Sequence, residues 1–108
     1  MNDKDIKNRV KQFIDRLCHA DKCNILAGNQ EFVNYVFKNL DYDLKIVERK
    51  CANDDEYIIF EIENTNINIA FYGWYSSYEG YNYSSWSFVY PQEVTIIKWC
   101  KEQTNEFI

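Results

Sequence analysis

Residues 57–72 read Tyr-Ile-Ile-Phe-Glu-Ile-Glu-Asn-Thr-Asn-Ile-Asn-Ile-Ala-Phe-Tyr, and this stretch decides the fold. Ile58, Phe60 and Ile62 recur every second residue, the period of a strand with one buried face. Asn64-Thr65-Asn66 is a polar turn. The period of two then resumes over Ile67–Tyr72, whose apolar side is expected to be buried and whose Asn side is expected to be wet. Strands this close in sequence pair antiparallel, because a parallel pair needs a crossover of about a dozen residues or more.

Working outward, Leu44, Ile46 and Glu48 alternate with Lys45, Val47 and Arg49, an earlier strand that reaches the hairpin through the polar cluster Asn53-Asp54-Asp55. Downstream, residues 76–85 are rich in Ser, Gly, Asn and Tyr and read as a loop. Trp86-Ser87-Phe88-Val89-Tyr90 is a fourth strand stopped by Pro91, and Val94–Trp99 is a fifth. The polar tail 101–108 frays or forms a short helical end. Upstream, residues 3–19 place Ile6, Val10, Phe13, Ile14 and Leu17 at helical spacing behind a cap at Asn2 or Asp3. The pattern breaks over 19–29 at Gly28. A second helix then starts near Asn29, with Phe32, Val33, Val36, Phe37 and Leu40 on its apolar face. The expected architecture is α+β, two N-terminal helices packed on a five-stranded antiparallel meander, with residues 1–108 forming a single domain.

A chain of 108 residues, 46% hydrophobic and 27% charged, suits one globular domain. No apolar run approaches the roughly 20 residues that span a bilayer, and the N-terminus is charged where a signal peptide needs an apolar core, so a cytoplasmic protein without membrane contact is expected. Twelve Ile, twelve Asn and nine Lys against three Arg match the usage of AT-rich genomes, pointing to a low-GC bacterium or its phages. The net charge of -5 is unevenly placed: residues 1–55 hold ten acidic and ten basic side chains, whereas 56–108 hold seven Glu against Lys98 and Lys101. With no Lys or Arg from Glu56 to Ile97, this half lacks the cations that supply non-specific nucleic-acid affinity, and direct DNA or RNA binding is not expected.

Chemistry-bearing residues are sparse. Cys18-His19 and Cys23 cluster, but the spacing is one C-x4-C without a second knuckle, so no metal is expected there, and Cys51 and Cys100 stand apart. Cys18 falls on the apolar side of the first helix. It is read with Cys51 and Cys100 as a reduced packing residue. His19, the one histidine, sits at a helix terminus where it complements the dipole, and a sequence-adjacent Cys-His pair rarely converges. Gly28, Gly73 and Gly80 are too dispersed for a phosphate loop. No catalytic residue and no cofactor is expected, and the chain reads as a non-enzyme.

The unusual segment is 71–90, where ten of twenty residues are aromatic. Phe71 and Phe88 are expected to face the helices. The tyrosines alternate with Ser, Glu, Gly and Asn, the mixture that antibody loops use for stiff contact area and adaptable hydrogen bonds. Two readings stand level, a recognition surface or sheet residues with phenol tips in water. The candidate partner-binding set is Trp74, Tyr75, Ser76, Tyr78, Glu79, Tyr81 and Tyr83, with the strand carboxylates Glu61 and Glu63.

Gly73-Trp74-Tyr75-Ser76-Ser77-Tyr78-Glu79-Gly80, followed by Trp86, Val89 and Pro91-Gln92-Glu93-Val94-Thr95, resembles a pattern recurring in small phage and prophage proteins. They carry an aromatic-x-Ser-x-Tyr-Asp/Glu-Gly loop and then a Val-x-Pro-x-Glu-Val-x-Val strand. The likeness covers about residues 57–99 and leaves out the N-terminal helices. It implies a phage accessory domain and names no activity. The expected function is that of a small acidic phage-type binding protein, anti-CRISPR-like. It would inhibit a host protein or nucleoprotein complex, a CRISPR-Cas or other defence effector, by occupying a binding surface, since carboxylates and phenols complement a cationic groove. The alternative is a non-inhibitory accessory module that self-assembles into a homo-oligomer through a sheet edge or the aromatic patch. A small-ligand binder would need Arg9, Arg16, Arg49 or the lysines of the first half for its cation.

Overall fold

The computed structural model describes residues 2–52, 55–92 and 98–102. Three helices precede five strands: α1 Asp3–Asp15, α2 His19–Leu26, α3 Gln30–Val36, β1 Leu44–Ala52, β2 Asp55–Ile62, β3 Asn68–Ser76, β4 Gly80–Gln92 and β5 Lys98–Lys101. The class is α+β, and every strand pairs antiparallel with its chain neighbour in the order β1-β2-β3-β4-β5. The first part of the expected fifth strand, the last six tail residues and Asn53-Asp54 lie outside the described residues.

In α1 the Asn2 side chain caps the Asp5 N–H at 2.9 Å, Asp3 and Asp5 complement the positive end of the dipole, and Ile6, Val10 and Ile14 form the buried stripe. The helix expected to run to residue 19 ends at Asp15, and the segment expected to interrupt the helical pattern is itself a helix. Cys18 takes an extended conformation and its Sγ accepts the Asp21 N–H at 3.4 Å, a thiol in the place of the usual cap oxygen. Cys18 is therefore exposed at an N-cap and not buried on α1, and His19 opens a helix instead of closing one. Gly28, at φ +84°, follows the last turn of α2 and donates to Ile25, the left-handed stop that favours glycine. Asn29 then caps α3 by accepting from Glu31 and Phe32, as its position predicts.

Gln30 ties α3 to the sheet edge. Its Nε2 donates to the Leu44 carbonyl and its Oε1 accepts the Ile46 N–H, both at 2.9 Å, so the amide completes the backbone of β1 as a further strand would. One apolar cluster joins Ile6, Val10, Ile14, Ile25, Leu26 and Val33 of the helices to Ile58, Phe60, Ile62, Ile69, Phe71 and Phe88 of the strands.

Two register shifts change which residues share a face. In β1 the pairing passes from Ile46↔Phe60 to Glu48↔Ile59, so Val47 is extra and is exposed. The simple alternation expected for β1 is thereby corrected: Glu48 turns away from Leu44 and Ile46, and Arg49 turns towards their side, the re-aiming that a bulge produces. In β4 the pairing passes from Tyr72↔Ser85 to Gly73↔Tyr83, which makes Ser84 extra and puts Tyr83 and Trp86 on one face.

Three further expectations are corrected. Residues 80–85 belong to β4, leaving only Ser77-Tyr78-Glu79 between strands. Pro91 does not stop β4, because it pairs with Trp99 near the strand end, where a missing N–H is tolerated. The Asn side of β3 is not wet: Asn68 is 6% exposed and Ala70 is fully buried. The face opposite Phe60 and Phe71 has its own small cluster, Ile59, Ala70 and Val89 with Tyr57, Tyr72 and Trp99 packed against it.

Candidate functional site

The β3–β4 hairpin carries most of the candidate residues. Ser76 pairs with Gly80, and the Ser76 Oγ accepts the Tyr78 and Glu79 N–H groups at 3.1 and 3.3 Å. Gly80, at φ +78°, lets the chain leave a three-residue loop in the left-handed conformation. The tip therefore has a defined shape although its side chains face solvent: Tyr78 is 99% exposed, Tyr75 49% and Trp74 44%. Tyr75 stacks edge-on against Tyr81 across the strands, with ring centroids 5.1 Å apart.

Tyr81 is held from below. The Arg49 Nη2 donates to its phenol oxygen at 2.5 Å, and the guanidinium lies 5.3 Å from the ring centroid. Arg49 in turn presses on Gly28, where a β-carbon would stand 2.7 Å from Nη1. The bulge at Val47 makes this contact possible by turning Arg49 to that face. The carboxylate of Glu56, on the same face and paired with Gly73, is 7% exposed, and among the described residues its buried Oε2 has no hydrogen-bond partner.

The structure thus gathers Trp74, Tyr75, Ser76, Tyr78, Glu79 and Tyr81 at one end of the sheet and sets three candidates apart. Tyr83 packs inward: its ring meets Phe71 at 5.7 Å and His19 at 6.0 Å, and its N–H donates to Cys23 Sγ at 3.3 Å. Burial, then the charge of Asp15, pushes its phenol pKa up. Glu61, paired with Lys45 and Asn68, and the exposed Glu63 lie at the far end of β2. Arg49 is the residue that sequence reasoning left out of this site.

On the other face of the sheet Tyr57 donates to Glu48 Oε2 at 2.6 Å. That bond first, then burial and the carboxylate charge, pushes the Tyr57 pKa up to about 12 from 10.0. The folded state therefore holds this proton more tightly than the unfolded chain does. The stabilisation it brings is complete below pH about 10 and is lost as the pH rises towards about 12. Ultraviolet titration should find one phenol ionising about two pH units after an ordinary tyrosine, and Glu48→Ala should bring it back. An unshifted phenol in the parent protein would refute the bond.

A cleft of about 210 Å³ between α1 and the α3–β1 connection is lined by Arg9, Gln12, Phe13, Arg16, Asn39, Leu40 and Asp41. Of the three arginines a ligand binder could use, Arg9 and Arg16 reach it and Arg49 does not. Arg9 is engaged with Asp41 at 3.3 Å, and the Tyr42 hydrogen bond and the Asp41 charge raise its pKa. Among the described residues no three of His, Cys, Asp and Glu converge as metal ligands would, and no helix is long and apolar enough to cross a membrane. No protein-family model, curated protein or solved structure matches this chain.

Proposed function

We propose that this chain is a small phage-type binding protein. It would act in the host cytoplasm by occupying a surface on a host protein or nucleoprotein complex, with the β3–β4 hairpin as its contact element. One observation carries the reading: Tyr78 stands fully exposed on a hydrogen-bonded three-residue turn, flanked by the half-exposed Trp74 and Tyr75. Large rings exposed side by side mark an interaction surface, and Tyr and Trp are among the side chains that most often dominate interfaces. A turn already shaped by Ser76 loses little further entropy on binding. Inhibition of a CRISPR-Cas or other defence effector is the specific form proposed, since blocking a surface needs no catalytic group. The reading also assigns the helices as a cover for one face of the sheet, which leaves the hairpin end free to engage a partner; the shared cluster and the Gln30 bonds to β1 support this.

The self-assembling alternative is less well supported at the β1 edge. Gln30 satisfies Leu44 and Ile46, the bulge at Val47 interrupts the strand, and Lys45, Arg49 and Lys50 are exposed along it. Such features block edge-to-edge pairing.

The test compares the parent protein with Trp74→Ala and Tyr78→Ala as bait in lysate of a low-GC host bearing defence systems, alongside plating of a restricted phage. Tyr81 is excluded from the variants because its anchoring by Arg49 makes it structural. Each substitution should weaken retention of a stoichiometric partner about tenfold or more and reduce phage rescue. The thermal midpoint should move by no more than about 3 °C. A partner retained equally by all three baits would refute the hairpin as contact element.

A further inference from the structure

We propose that the hairpin end of the sheet receives the arginine or lysine side chains of a basic protein segment, Trp74 and Tyr78 supplying the ring faces and Asp55 and Glu79 the counter-charges. The inference rests on the binding reading above and names the chemistry of its partner.

The chain's own habit motivates it. Among the described residues five rings carry an internal cation: Lys7 stands over Phe88 at 5.1 Å, Lys22 over Tyr83 at 5.2 Å, Lys38 over Tyr35 at 4.7 Å, Arg49 over Tyr81 at 5.3 Å and Lys101 over Tyr72 at 5.1 Å. Among the described residues no cation stands over Trp74, Tyr75 or Tyr78, although these rings are exposed at the hairpin tip. The reason lies in the sequence, which has no Lys or Arg from Glu56 to Ile97. Across β2, Arg49 of β1 does not compensate, because it is engaged with Tyr81 and packed on Gly28.

The carboxylates are left over in the same place. The register Glu56↔Gly73 brings Asp55 to the level of Trp74, and Glu79 adjoins Tyr78. Both are exposed, and among the described residues neither is in an ion pair. Open ring faces beside unpaired carboxylates suit a guanidinium or ammonium group, which stacks on the ring and bonds to the acid at once. An exposed cation–ring contact contributes about two- to fivefold in affinity, so several must act together. A nucleic acid or an anionic membrane is disfavoured, since the hairpin itself has no Lys or Arg and the nearby Arg49 is engaged with Tyr81. A second copy of the chain offers ten of its twelve cations in its first half, where ten acids balance them, and only Lys98 and Lys101 in its second half, against seven Glu.

The test titrates the full chain with a nona-arginine peptide at low and moderate salt, following backbone amides and the Trp74 indole N–H by NMR. Shifts concentrated in residues 74–81 are expected, with binding weakened at least tenfold by the Trp74→Ala, Tyr78→Ala double variant. Trp74→Phe with Tyr78→Phe should restore most of it. Glu79→Gln should weaken binding about twofold or more, and Glu63→Gln, at the far end of β2, should leave it unchanged. Shifts spread over all the acidic residues, or equal effects of the two Glu variants, would overturn the proposal as bulk charge attraction. Self-association of the parent chain that the double variant abolishes would overturn it in favour of a second copy. Loss of the captured host partner by the Tyr78 variant, with nona-arginine indifferent to the hairpin, would refute the cationic partner and keep the binding reading. A host partner indifferent to the hairpin would refute the binding reading itself.

Discussion

Gly73→Ala should cost at least about 3 kcal/mol of folding stability and lower the thermal midpoint by more than about 10 °C. Backbone strain is not the cause, since Gly73 is not among the residues of positive φ. Proximity is. A β-carbon at Gly73 would stand 2.0 Å from the Asn82 carbonyl oxygen and 2.6 Å from Leu26 Cδ2. Neither neighbour can move cheaply: the carbonyl belongs to the backbone of β4, and Leu26 is 1% exposed in the core. Relief would require opening the bulge at Ser84 or lifting α2, and either breaks packing made by many residues. Gly80→Ala is the contrasting case. No atom lies within 4 Å of its added carbon, but φ is +78°, so the cost should stay near the roughly 1–2 kcal/mol of a left-handed residue. Urea denaturation of both variants separates the two causes, and a Gly73→Ala protein as stable as the parent would show that α2 does not rest on β3 in solution. Because Gly73 precedes Trp74, this change should also displace the hairpin tip, which makes it unsuitable as a probe of binding.

How much of this was legible depends on whether the signal was local. The hairpin of β2 and β3 follows from two period-two runs and a short polar turn. Asn2 and Asn29 announce their helices because capping is an interaction across two or three residues. The helix α2 escapes notice because its cap is a thiol and its fully buried residues, Ile25 and Leu26, are adjacent and do not form a stripe. The N-terminal part of β4 escapes for a different reason. Tyr81 and Tyr83 alternate with Asn82 and Ser84, a strand period, but the composition is that of a loop and hides it. The two bulges leave no mark in the sequence, and both bear on the site: one turns Arg49 towards Tyr81, and the other sends Tyr83 inward with Trp86. Arg49 could not have been joined to the tyrosines by inspection, because the two lie 32 residues apart and meet only through that shift in register. Exposure of the hairpin tip was half legible. Ser76 and Gly80 mark the turn, but whether a ring beside them is free or covered is decided by the rest of the fold.

Phe71→Ala should cost about 3–5 kcal/mol, a large share of the roughly 5–15 kcal/mol that holds a domain of this size together. The ring is fully buried on β3, the central strand of the sheet. It meets Phe60 edge-on at 5.9 Å and Tyr83 at 5.7 Å. Removing it leaves a cavity beside β2, β3 and β4, strands whose mutual spacing is set by backbone hydrogen bonds and which cannot collapse to fill it. A cycle with Phe60→Ala should return a coupling of about 0.5–1.5 kcal/mol for the edge-on pair, and additive losses would show that the two rings do not touch in solution. The functional consequence runs opposite to that of Tyr78→Ala. The turn bonds of Ser76 are local to the hairpin and do not involve Phe71, and Tyr81 is held by Arg49. Below its own unfolding transition, Phe71→Ala should therefore bind the partner with close to parental affinity, whereas Tyr78→Ala should keep the parental midpoint and lose the partner. Finding both effects in one variant would mean that the tip and the core are a single unit, and the hairpin would then be a structural element whose exposure is incidental.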